Sequence, residues 1–104
     1  MMTSLQEDLV MENLRTIVDP ELGINIVDLG LIYEVKVEES SEVKVKMTLT
    51  SPGCPVGAVI QGQCHAAVKK LPWVKDVKVQ LVWVPRWDPK TMASEEAQME
   101  LGIL

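Results

Sequence analysis

Residues 31–60 read LIYEVKVEESSEVKVKMTLTSPGCPVGAVI. Two alternating runs flank a short polar break, and a turn rich in glycine and proline follows. In LIYEVKVE, Leu31, Tyr33, Val35 and Val37 share one side; Ile32, Glu34, Lys36 and Glu38 take the other. In EVKVKMTLT the apolar side is Val43, Val45, Met47 and Leu49. Alternation with period two marks half-buried strands, and the ESS break joins them as a hairpin. After the turn, CPVGAVIQGQCHAAVKKLP changes to helical spacing. Its apolar stripe is Val56, Val59, Ile60, Ala67, Val68 and Leu71, with Pro55 at the first helical position and Pro72 as the stop.

The rest of the chain extends this unit. TSLQEDLVMENLRTI, residues 3–17, carries Leu5, Leu9, Val10, Leu14 and Ile17 at helical spacing. Ser4 with Glu7, or equally Thr3 with Gln6, matches a capping box, and Pro20 ends the helix. VKDVKVQLVWV, residues 74–84, reads as a third strand with Val77, Val79, Leu81 and Trp83 inward. PRWDPKTMA is an irregular crossing, and SEEAQMELGIL a last helix capped by Ser94 and stopped at Gly102. The order is α-β-β-α-β-α in a single domain, residues 1–104. Strands apolar on one face need helices on that face only. The expected fold is an α+β two-layer sandwich with a three-stranded mixed sheet. Glu34, Lys36, Lys44, Lys46, Lys78 and Gln80 mark the wet face.

Composition narrows the function classes. Ten basic and fifteen acidic residues give a net charge of −5, against a nucleic-acid or anionic-membrane partner. MMTSLQEDLV lacks the basic and apolar regions of a signal peptide, and no apolar run approaches the ~18 residues of a membrane span. A cytoplasmic protein with reduced thiols is expected. Cys54 and Cys64 would lie ~15 Å apart along a helix, beyond the ~7 Å limit of a disulfide. That separation also prevents both from binding one metal ion.

Connectivity gathers chemistry at one sheet edge. A hairpin centred near Ser40 pairs residue i with about 80 − i, setting Gly30 opposite Thr50 and Asp28 beside the SPGC turn. A helical crossover makes the third strand parallel to the second, so Pro85, Arg86 and Trp87 emerge at the same edge. Asp28, Thr50, Cys54 and Trp87 would converge there. Cys54 falls at or just before the helix N-cap, where free amides and the helix dipole favour thiolate. Nearby acids oppose this. Each residue also has a structural reading. A lone cysteine is often a small buried hydrophobe, as expected for Cys64. His65 reads as a solvated surface residue, Trp73 and Trp83 as core or rim, and Asp19-Pro20-Glu21 as a turn. Thr50 and Asp28 can simply bind their own turns.

Catalytic templates fit poorly. His65 would sit about three helical turns from Cys54, too far for a Cys–His pair. Four zinc ligands cannot converge, and GCPVG lacks the lysine of a P-loop. An accessible single thiol remains, able to accept sulfur, hold one corner of a cluster or bridge two subunits through a metal.

DPELGINIVDLGLIYEV, VKMTLTSPGCP and VPRWDP, with the SEEAQMELGI ending, resemble the PaaD/SufT-like metal–sulfur cluster assembly family, the FSCA-type domain. The resemblance runs from about residue 9 to the C-terminus. It implies a small α+β domain that assists iron–sulfur cluster assembly or delivery. The motif cysteine falls on Cys54, the motif threonine on Thr50, the DxG acid on Asp28, the P-x-W tryptophan on Trp87, and the DPE acids on Asp19 and Glu21. Neither the cysteine-rich extension of PaaD nor the N-terminal extension of longer SufT proteins is seen, so a stand-alone member is expected. Three readings follow. A non-catalytic maturation factor would use Cys54 as a transient ligand for iron, sulfur or an iron–sulfur cluster, with no tightly bound cofactor. Protein partners or a homodimer would complete the coordination. An adaptor would instead dock assembly proteins and apo-protein targets through the Asp28, Cys54 and Trp87 edge, with Arg86 in contact. A thiol enzyme transferring sulfur is the third.

Overall fold

The computed structural model describes residues 2–51, 53 and 55–104, and for residues 2–4 the backbone alone. The hairpin is present as β1 (Ile32–Val37) and β2 (Glu42–Met47). They pair antiparallel from Val37↔Val43 to Glu34↔Lys46, on the expected centre. The break closes through Ser41 N–H to Glu38 O at 2.9 Å, with Ser41 at φ 68. β3 (Asp76–Leu81) pairs parallel to β2, giving the order β1-β2-β3. The connection is α2 (Gly57–Lys69). With α1 (Met2–Leu14) it forms the second layer: α1 packs on β1 and α2, and α2 on β3. Val43, Val45 and Met47 are buried between the layers with Val10, Leu14, Ile60, Cys64 and Val68. Lys36, Lys44, Lys46, Lys78 and Glu34 stay on the open face, where Lys44 lies 3.6 Å from Glu38 and Lys46 3.8 Å from Glu34. Among the described residues no helix is long and apolar enough to cross a membrane.

Several boundaries differ from expectation. β2 ends at Met47, so the Gly30–Thr50 pair does not form. The register shifts at Tyr33, leaving it unpaired between Ile32↔Met47 and Glu34↔Lys46. This bulge takes Tyr33 out of the alternation and sends its hydroxyl to Pro85 O, to which it donates at 2.7 Å. β3 stops at Leu81, so its alternation does not reach Trp83, which is 42% exposed rather than inward. The buried stripe of α2 is Gly57, Ile60, Cys64 and Val68, and Val59 is 58% exposed. Gly57 explains the rotation: a Cβ there would fall 2.6 Å from Leu49 Cδ1, so the bare backbone sits against Leu49. Among the described side chains of α1, Val10 and Leu14 are buried, as is the following Ile17; Leu5 and Leu9 are exposed. At about 100° per residue, they fall 140° and 100° around the helix from Val10, outside its inner face. α1 already begins at Met2, so neither capping box stands at a helix start.

The crossing after β3 contains one extra turn, α3 (Pro89–Met92), begun by Asp88, whose carboxylate accepts from Lys90 N. α4 (Glu95–Leu101) follows as expected. Ser94 Oγ accepts from Ala97 N at 3.2 Å, and Gly102 ends the helix in the left-handed region at φ 76. This C-terminal segment grips three consecutive residues of the loop before β1. Ser94 N donates to Asp28 O at 2.8 Å, and Trp87 Nε1 donates to Leu29 O at 2.8 Å. Gly30, at φ 82, lies so close to the Met92 backbone that a Cβ would overlap its carbonyl. Gly30→Ala should therefore cost about 3 kcal/mol or more, combining left-handed strain with overpacking. Gly23, at φ 70, has nothing within 4 Å of its Cβ position. There Ala should cost only about 1 kcal/mol. Urea unfolding of the two variants checks the difference.

Candidate functional site

The chain leaves β2 between its two neighbours. Thr48 N donates to Leu31 O at 2.8 Å, and Val82 N donates to Met47 O at 2.8 Å. Thr48 and Leu49 are both buried, so alternation ends and the backbone turns outward through Thr50 and Ser51. Opposite runs the segment after β3. It is pinned twice, at Pro85 O by the Tyr33 hydroxyl and at Trp87 by its bond to Leu29 O. Between the two segments lies a pocket of about 200 Å³. Thr48 to Ser51 form one wall; Trp83, Arg86 and Trp87 form the other. Burial raises the Tyr33 phenol above its ordinary value, and a hydrogen bond with Thr48 acts the other way. The phenol thus stays a neutral donor to Pro85 O.

The pocket brings Thr50, Arg86 and Trp87 together, three of the residues picked from the sequence. Asp28 is next to it through Leu29, but its carboxylate turns elsewhere. Arg15 Nη1 donates to Oδ1 and Asn25 Nδ2 to Oδ2, each at 2.7 Å. Asp19 is 1% exposed and serves the turn after α1: its Oδ1 accepts from the amides of Glu21 and Leu22 at 2.8 and 3.1 Å. This is the Asp-Pro turn role, and Glu21 is exposed on that turn. Neither acid lines the pocket.

Cys54 lies outside the described residues. The cap position of α2 falls to Val56, at φ −102 and ψ 10, without a side-chain cap. Pro55 belongs to the turn rather than to the first helical position. Cys64 is fully buried, 3.7 Å from Met47 Sδ, and burial pushes its thiol up to about 12. His65 is exposed on α2. Among the described residues, no three of His, Cys, Asp or Glu cluster as a metal site.

Thr48, Ser51 and Trp83 were not singled out from the sequence as site residues. The first two flank Thr50 in TLTS, and the signal was there in the polar residues following β2. Trp83 was hidden by an alternation that the chain abandons at Leu81.

A family model described as "Iron-sulfur cluster assembly protein" matches residues 7–81. The chain belongs to this family. The match includes the Thr48–Ser51 wall and stops before Trp83, Arg86 and Trp87. The chain is similar to the Fe-S protein maturation auxiliary factor YitW of Bacillus subtilis, with 45% identity over 94 residues, covering 90% of this chain and 91% of that one. It is equally similar to the Fe-S protein maturation auxiliary factor SufT of Staphylococcus aureus, with 45% identity over 87 residues, 84% of this chain and 98% of that one. The fold matches the crystal structure of a domain of unknown function, DUF59, from Bacillus anthracis. Its TM-score is 0.91 at 36% identity, covering 99% of this chain and 97% of that one.

Two measurements check the local chemistry. Trp87→Phe removes the bond to Leu29 O and should lower unfolding free energy by about 1–2 kcal/mol in urea. The unfolded Cys64 thiol ionises near 9 and the folded one near 12. Between those values the unfolded chain binds fewer protons, so this contribution is fully present below about pH 9 and is lost as pH rises through that window. The stability gap between wild type and Cys64→Ala should narrow from pH 8 to pH 10.

Proposed function

We propose that this chain acts in the cytoplasm as a non-catalytic auxiliary factor in iron–sulfur protein maturation, working by contact with cluster assembly proteins and apo-protein targets at the pocket edge. Family membership and the maturation-factor names of its relatives support the assignment to iron–sulfur assembly. One structural observation supports contact as the mode of action. One segment, pinned at Pro85 and again at Trp87, holds Arg86, Trp83 and Trp87 at a partly open pocket.

Among the described residues, the pocket wall offers hydroxyls, indoles and a guanidinium, none of which is the thiolate that iron–sulfur clusters take. Iron or a cluster in transit would therefore draw one ligand from this chain, Cys54, and the others from a partner or a second copy. A pure adaptor role has its own support: beside the pocket Trp83 is 42% and Val84 85% exposed, an apolar rim suited to protein contact.

The test is complementation in a bacterium deleted for its own maturation factor of this family, reading the activity and iron content of an iron–sulfur enzyme. Wild type should restore both. Failure to restore either overturns the proposal. Cys54→Ser at the deletion level supports the ligand role, and full activity of that variant supports the adaptor role. Trp83→Ala should lower restoration at least several-fold in either case.

A further inference from the structure

We propose that the pocket receives an acidic side chain of a partner protein, its carboxylate on Arg86 and its apolar neighbour laid across Trp83 and Val84. This rests on the proposed contact role of that edge. It identifies the chemistry that the edge recognises.

The first observation is an unused cation. The chain has fifteen acidic and ten basic residues, so carboxylates are in excess. Arg15, Lys36, Lys44 and Lys46 all take ion-pair partners. Arg86 has no ion-pair partner among the described residues, although Asp88 is two positions away; the same holds for Lys69, Lys70, Lys75, Lys78 and Lys90, but of these six Arg86 is the one that lines this pocket. It is held between two anchored residues, Pro85 and Trp87, and is exposed. A guanidinium fixed by its backbone binds a carboxylate with less ordering cost than one on a free loop.

The second observation is the size and lining of the pocket. At about 200 Å³ it falls below the roughly 300–1,000 Å³ of sites for nucleotides and drug-sized molecules. One side chain fits. Leu49 and the two indoles supply apolar wall, and Thr50 and Ser51 supply hydroxyl donors. Donors around a cation select an anion, while the apolar wall disfavours a small, fully hydrated one. Tryptophan and arginine together are also the residue types that concentrate binding energy at protein interfaces. The exposed Trp83 and Val84 extend the apolar wall past the mouth, where the residue next to the acid would rest.

The experiment is a titration of the full chain followed by amide and indole nitrogen spectra. The chain has three tryptophans, and Trp73, which is absent from the pocket lining, serves as internal reference. The probe is a blocked tetrapeptide, acetyl-Gly-Glu-Leu-Gly-amide, compared with its Gln counterpart, with inorganic phosphate and with acetate. The expected result is a saturable shift of the Trp83 and Trp87 indole signals with the Glu peptide, while Trp73 stays still. Binding should weaken at least tenfold for the Gln peptide, and at least tenfold for Arg86→Gln with the Glu peptide. Unchanged indole dispersion in Arg86→Gln verifies that the fold is kept. Equal binding of the Glu and Gln peptides, undiminished binding by Arg86→Gln, phosphate or acetate binding as tightly as the peptide, or no saturable shift at the pocket overturns the inference. Failure here with complementation intact removes the acidic-anchor inference alone. Selective peptide binding without complementation removes the maturation role and leaves the anchor.

Discussion

The structure depends on the close approach of two backbones, Gly30 against Met92. A side chain at residue 30 would occupy the space of the Met92 carbonyl, and the positive φ of Gly30 would strain it further. With the glycine in place, the residues on either side of Met92 reach the loop before β1. Ser94 binds Asp28 O and Trp87 binds Leu29 O. Three adjacent loop residues are thereby joined to three points of the C-terminal segment. The sheet alone does not hold that segment, because β3 ends at Leu81 and the chain then leaves it.

This latch links packing to function. It fixes Trp87, and the Tyr33 bulge fixes Pro85, so the backbone is held on both sides of Arg86. The opposing wall follows from β2, whose last residues are clamped by bonds to Leu31 and from Val82. A pocket between two clamped backbones keeps its shape before any partner arrives, which lowers the ordering cost of binding. Asp28 takes part through its backbone. Its carboxylate, held by Arg15 and Asn25, ties the same loop to the end of α1.

The hairpin, the parallel third strand and the single covered face were legible because period-two alternation and a polar break are local signals. The ends of elements were less so. Nothing within VQLVWV announces that the strand releases the sheet at Leu81; that is decided by the docking of Trp87 and Pro85 on distant residues. The same holds at the start of α2. Pro55 is a good first helical residue, yet the helix begins at Gly57, whose bare backbone lies against Leu49 Cδ1. The meeting of Thr50, Arg86 and Trp87 was readable from connectivity. The direction of Asp28's carboxylate was not, since its partner Arg15 lies on a separate element. Asp19 was readable either way, and burial selects the turn role.

The most direct measurement of the latch is hydrogen exchange at the Trp87 indole and the Ser94 amide, compared with core amides of Val45 and Val79. If the C-terminal segment and the loop before β1 form one unit with the sheet, all four should exchange slowly and lose protection together as urea is added. Rapid exchange of Trp87 and Ser94 while Val45 and Val79 stay protected would contradict the account, because the pocket would then lack one of its walls for much of the time.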